Sequence, residues 1–135
     1  MTPTDRDDPG SREGAGRRAI LLVDHGSRRA EANEQLEALA RLVRARVPEA
    51  IVEAAHMEIA PPDIAQGIAS CVAAGADEIV IHPYFLAPGR HSREDIPRIA
   101  LAAAARHPGV RVWVSEPLGL HEKIVDVVLE RVGGR

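Results

Sequence analysis

The tightest constraint on how this chain folds is a hydrophobic period that switches from strand to helix four times along its length. The run Ala19-Ile20-Leu21-Leu22-Val23 is apolar at every position, which suits a strand buried on both faces of a parallel sheet. Leu36, Leu39, Ala40, Val43 and Val47 then recur at helical spacing over about 29–47, and Pro48 stops that helix. "AIVEAA" (50–55) predicts a second strand, less purely apolar and so nearer a sheet edge. Pro61-Pro62 open a helix with Ile64, Ile68, Cys71 and Val72 on one face, ended by Gly75. A third strand is expected at about 78–82, followed by the loop "APGRHSRED". The next helix is expected to start with Asp95 as N-cap, so that Pro97 falls in the first turn, where its missing N–H does no harm. "VRVWVSE" (110–116) predicts the fourth strand, and Leu120, Ile124, Val127 and Val128 a last helix.

Four strands alternating with four helices predict an α/β fold: one doubly wound, four-stranded parallel sheet with right-handed crossovers and helices on both faces. The 135 residues suffice for one such domain, expected over 18–135, after a disordered leader at 1–17 in which Asp, Arg, Gly, Pro and Ser mix without periodicity. Tyr84, Phe85 and Trp113 are the only aromatic residues, so the core must be aliphatic. A net charge of −3 offers no basic surface for nucleic acid. No apolar run reaches the ~20 residues of a membrane span, and the N-terminus lacks a secretory apolar segment, so a cytoplasmic protein is expected. With Cys71 as its only cysteine, the chain forms no internal disulfide and no cysteine-based metal cage.

Doubly wound sheets bind ligands outside the carboxyl ends of their strands, where strand order reverses. Asp24-His25-Gly26-Ser27 stands behind the first strand and His56-Met57-Glu58 behind the second. His82 and then Gly89-Arg90-His91-Ser92 follow the third, and Glu116-Pro117 the fourth. Periodicity alone therefore gathers His25, Glu58, His91 and Glu116 on one rim. Imidazole and carboxylate suit a divalent first-row metal, and imidazole also accepts protons near neutral pH. Arg28, Arg29, Arg90 and Arg93 flank the two histidines, and the guanidinium fork fits carboxylates. A carboxylate-rich ligand that exchanges protons for a metal would use all of these groups.

Plainer roles compete for the same residues. His-Gly-Ser after a strand also describes a turn with a capped helix start, and the arginines also describe a solvated surface. His56 and His82 adjoin strands and are expected to hydrogen-bond within the fold, while His107 and His121 are assigned to surface or helix caps. Cys71 reads as a buried small hydrophobe. The chain has no G-x-G-x-x-G and no G-x-x-x-x-G-K-[ST], and Ser27 lacks the context of a nucleophile elbow.

Together, "ILLVDHGSRRAEANEQ", "HMEIAPPDIAQGI", "HPYFLAPGRHSREDIP" and "SEPLG" resemble the small sirohydrochlorin chelatases, the cobaltochelatase and ferrochelatase group of the class II chelatases. The resemblance covers about residues 18–132. It implies insertion of Co²⁺, Fe²⁺ or Ni²⁺ into sirohydrochlorin, towards cobalamin, siroheme or a nickel tetrapyrrole. The metal is then a substrate, and no cofactor is permanently bound. His25, His91 and Glu58 are implied as both metal ligands and catalytic bases. Ser27, Arg28, Arg29, Arg90 and Arg93 are expected on the substrate's peripheral carboxylates. Asp24, His56 and His82 depart from the family pattern, which leaves open the metal preference and an auxiliary metal site. Asp24 is expected to raise the basicity of His25 or to steer cations. The larger members of the superfamily look like two such lobes in one chain, so a homodimer is expected, joined by the last helix or by "PYFLAP". The rival reading from another class is a non-catalytic metal or tetrapyrrole carrier, and phospho-transfer on His25 is a third.

Overall fold

The computed structural model describes residues 17–87 and 89–133, the His91 side chain excepted. Its strands are β1 (Arg17–Asp24), β2 (Ile51–His56), β3 (Ala76–Pro83) and β4 (Arg111–Val114). Its helices are α1 (Ala30–Arg46), α2 (Ile64–Ala73), α3 (Arg90–Ala104) and α4 (Glu122–Arg131). The strands form one all-parallel sheet in the order β2-β1-β3-β4. This is the doubly wound α/β fold expected, with the Glu53-bearing strand at an edge. The expected leader lies outside the described residues up to its last position, Arg17, which opens β1.

Alternation along β1 divides the core in two. Leu21 and Val23 face one way and pack with Ile79, Ile81, Ile64, Ile68, Cys71 and Ile96, under α2 and α3. Leu22 faces the other way and packs with Val52, Ala54, Leu36 and Ala40, under α1. Each fully buried Leu or Ile contributes about 1.5–3 kcal/mol. Cys71 is fully buried, and its thiol is pushed up to about 12, by burial first and then by the charge of Glu53. Shut in the core, it stays a protonated thiol at neutral pH. At the start of α2, Asp63 accepts from the Gln66 backbone N–H and the Gln66 side chain accepts from that of Asp63, each at 2.8 Å, a reciprocal cap.

Two expectations need correction. The helix expected behind an Asp95 N-cap begins six residues earlier, at Arg90 behind Gly89 as N-cap, so Pro97 sits in its interior. The reason is a buried stripe that runs back past Asp95: Ser92, Ile96, Ala100 and Ala103 are all buried at helical spacing. That packing outweighs the hydrogen bond Pro97 cannot donate, a loss of about 3 kcal/mol in an unsupported helix. His82, placed behind the third strand, lies within β3. The last helix does form, but none of its residues is buried. The sheet is thus covered by α1 on one face and by α2 and α3 on the other.

Candidate functional site at the carboxyl ends of the strands

β1 and β2 keep pairing beyond their ends. Past the register pair Asp24 and His56, the Met57 N–H donates to the Asp24 carbonyl at 2.8 Å and the Glu58 N–H to the His25 carbonyl at 3.0 Å. Gly26 makes this possible, because it adopts φ +92° and a Cβ there would lie 1.9 Å from the Glu58 carbonyl oxygen. His25 and Glu58 therefore rise from backbones in direct contact. Strand order reverses between β1 and β3, which places His25 at the crevice where doubly wound sheets bind ligands. The loop after β3 is tied in by the Tyr84 N–H, which donates to the Val23 carbonyl at 2.7 Å. The next residue, Phe85, is buried and sets its ring 4.4 Å from the His25 imidazole. His25 itself is exposed, backed by Phe85 and open on its outer side.

Asp24 faces His56, and the structure gives it no contact with the His25 ring. Its Oδ1 accepts from Nδ1 of the buried His56 at 2.6 Å. The pair clamps the two strand ends beneath Gly26 and gives His56 the structural role expected of it. Among the described residues, Ile59, next after Glu58, is the one non-glycine at positive φ, 77°. Such a conformation is costly for a β-branched side chain and marks the Glu58 loop as a special backbone.

The arginines and Ser27 are less convergent. Ser27 Oγ accepts from the Arg29 N–H at 3.0 Å, and Asn33 grips the Ser27 backbone with bonds of 2.9 and 2.8 Å. The Ser27 hydroxyl thus caps the turn into α1. Arg28, Arg29 and Arg93 are exposed, and Arg90 makes a loose 3.7 Å contact with Glu94. Glu116 is exposed, and its carbonyl accepts from the Ser115 hydroxyl at 2.9 Å. His121 caps α4 by accepting from the Lys123 N–H at 3.0 Å.

His82 is half-buried, with Nδ1 3.0 Å from Ser115 Oγ. Burial holds its imidazole below the usual value of 6.5, and a hydrogen bond with the Glu116 backbone works against that shift. The unfolded chain then binds the proton more readily than the folded one, so stability rises with pH between the two values. His82's contribution is fully present above 6.5 and is lost as pH falls through its lower folded value. Thermal unfolding between about pH 7.5 and about pH 5.5 should show a smaller acid-induced fall in Tm for His82→Gln than for the unmodified chain. Equal falls would remove His82 from the pH response.

Among the described residues, no three His, Cys, Asp or Glu side chains come close enough to hold a metal. His25 and Glu58 offer two donors from touching backbones. His91 occupies the second position of α3, and its side chain lies outside the described residues. Sequence reasoning missed the Phe85 backing of His25. It gave Phe85 to an interface, whereas the ring is buried. The signal was available, since an aromatic three residues after His82 leaves the carboxyl end of a strand beside β1.

The sequence model of the CbiX family matches residues 19–134. The chain belongs to the CbiX family. This CbiX-family chain is 42% identical over 113 residues to a chloroplastic sirohydrochlorin ferrochelatase of Arabidopsis thaliana, covering 84% of the chain and 50% of that protein. It is 31% identical to a sirohydrochlorin cobaltochelatase of Methanococcus maripaludis, covering 86% of the chain and 98% of the relative. The crystal structure of the sirohydrochlorin chelatase SirB from Bacillus subtilis subspecies spizizenii in complex with cobalt superposes with a TM-score of 0.78 at 34% identity, over 86% of this chain and 50% of that one. A CbiX protein of Marinobacter aquaeolei gives 0.72 at 32% identity and is covered over 99% of its length. The chain thus spans half or less of several curated relatives, 50% of the first and 43% of a Priestia megaterium ferrochelatase, and nearly all of the archaeal one.

Proposed function

We propose that this chain is a metal chelatase that inserts a divalent cation into sirohydrochlorin, with His25, Glu58 and His91 as the metal-handling and proton-accepting residues. The observation that carries the reading is the hydrogen bond between the His25 and Glu58 backbones, which joins an imidazole-bearing loop to a carboxylate-bearing one at the switch point. A free-base macrocycle must lose two pyrrole protons while the metal sheds its waters, so bases and an open metal site have to face the ring. Few protein ligands make for moderate affinity, which suits a metal that must be handed on, in contrast to a closed four-ligand site. Exposed Arg28, Arg29, Arg90 and Arg93 attract the carboxylates of the substrate. Which of cobalt, iron and nickel is the working metal, and whether it serves cobalamin or siroheme synthesis, follows from supply as much as from these ligands. The reading has the protein working in the cytoplasm.

The test is anaerobic absorbance of sirohydrochlorin with the purified chain and Co²⁺, Fe²⁺ or Ni²⁺ in separate cuvettes. Conversion over many turnovers, faster than without protein, is the expected outcome. Tight binding without conversion would replace the enzyme with a carrier.

The reading includes a homodimer in which a second copy stands where longer relatives have their second half. It is supported by α4 and the residue after it, where Val125, Val128, Leu129 and Val132 lie at helical spacing and are 49%, 51%, 48% and 67% exposed. Tyr84 and Leu86 add exposed apolar surface beside the rim. Light scattering should give twice the 14.5 kDa chain mass, and Val128→Glu should give a folded monomer. A monomeric unmodified chain at micromolar concentration would end the dimer reading.

A further inference from the structure

A cavity of about 240 Å³ opens between the ends of β3 and β4 and the first two turns of α3. Phe85, Ile96, Pro97 and Val114 give it a mostly apolar wall, which Ser92 and Arg93 interrupt. Ser92 is 3% exposed, and among the described residues its hydroxyl has no hydrogen-bond partner. Leaving a buried hydroxyl unpaired is unfavourable, and native structures rarely do so without a role for the group. The exposed Arg93 side chain likewise has no carboxylate partner among the described residues. Ser115 also lines the space, but its own hydroxyl is engaged with the Glu116 carbonyl. The wall therefore presents an idle hydroxyl and an idle guanidinium at the edge of apolar surface.

The cavity adjoins the His25 site through a single side chain. Phe85 lines it and also stacks 4.4 Å from the His25 ring. Its volume falls below the ~300–1,000 Å³ that holds a whole small-molecule ligand, so it suits one part of a larger molecule. We propose that this cavity is the subsite for one carboxylate-bearing edge of the tetrapyrrole, with Ser92 donating to the carboxylate, Arg93 pairing with its charge, and Phe85, Ile96 and Val114 packing on the ring edge and methylene stem. The inference rests on the chelatase reading and adds an anchoring point that fixes how the macrocycle lies over His25.

Two titrations on the full-length chain separate the subsite from that reading: sirohydrochlorin without metal, followed by absorbance, and Co²⁺ alone, followed by calorimetry. Ser92→Ala should weaken sirohydrochlorin binding roughly 10-fold, the loss of one hydrogen bond to a charged group. It should leave Co²⁺ binding unchanged and Tm equal or higher, because the free protein loses only an unpaired hydroxyl. Val114→Phe, which fills the cavity from β4, should weaken sirohydrochlorin binding at least as much. If both variants bind sirohydrochlorin like the unmodified chain, while that chain still inserts metal, the subsite is overturned and the chelatase reading stands. If the unmodified chain neither binds nor metallates sirohydrochlorin, both fall together.

Discussion

His25→Ala should lower the rate of cobalt insertion by roughly 10²–10⁴-fold, the range for loss of a positioned base, and leave the fold in place. The two halves of that expectation come from different atoms of one residue. The imidazole is exposed, and its ring contact is with Phe85, worth about 0.5–1.5 kcal/mol for an aromatic pair. The His25 carbonyl, which accepts from the Glu58 N–H at 3.0 Å, is untouched by the substitution. The two loops therefore stay joined, and only the ring proposed to handle metal and protons is lost. Stopped-flow absorbance of sirohydrochlorin with Co²⁺ measures the first half, and thermal unfolding the second. Wild-type turnover by the alanine variant would remove His25 from the mechanism. A collapse of Tm together with the rate would mean that the ring, and not only the backbone, holds the loops together.

Much of this site was legible because its residues sit next to strong periodic signals. The apolar run ending at Val23 fixes where β1 stops, and hence that His25 is first on the rim. The same holds for Glu58 behind β2. The start of α3 was not legible, because Asp95 and Pro97 form a good local helix-start signal and tertiary packing overrode it. Ser92, a polar residue, occupies a core position on the stripe with Ile96 and Ala100, and a reading that counts only apolar residues begins the stripe too late. The pairing of Asp24 with His56 was invisible for another reason. It is a contact between strands 32 residues apart, and sequence shows such a partner only once register is known. Without register, Asp24 looked like a neighbour of His25. With it, alternation turns the two side chains to opposite faces of β1, and Asp24 meets the residue beside it on β2. The α4 stripe was read correctly as helical, but periodicity cannot say which surface a stripe covers.

Gly26→Ala should cause the largest loss of stability of any single methyl added to this rim. Two penalties act at once. At φ +92° an L side chain is strained, by about 1–2 kcal/mol. The new Cβ would also lie 1.9 Å from the Glu58 carbonyl oxygen and 3.1 Å from the His56 Cβ, an overlap with backbone that no rotamer relieves. The Glu58 loop must move away, which breaks the Glu58 to His25 bond and loosens the clamp made by Asp24 and His56. Overpacking of this kind adds about 1–3 kcal/mol. Gly75→Ala separates the two terms, because Gly75 has φ +106° and nothing within 4 Å of the place a Cβ would take. It bears the strain alone. Thermal unfolding should therefore show a fall of a few degrees for Gly75→Ala and roughly 10 °C or more for Gly26→Ala. Chelation should survive the first and fail in the second even at temperatures where both are folded, because only the second parts the loops that carry His25 and Glu58. Equal falls in Tm with chelation intact in both would mean that the close approach of the two loops is incidental to the site.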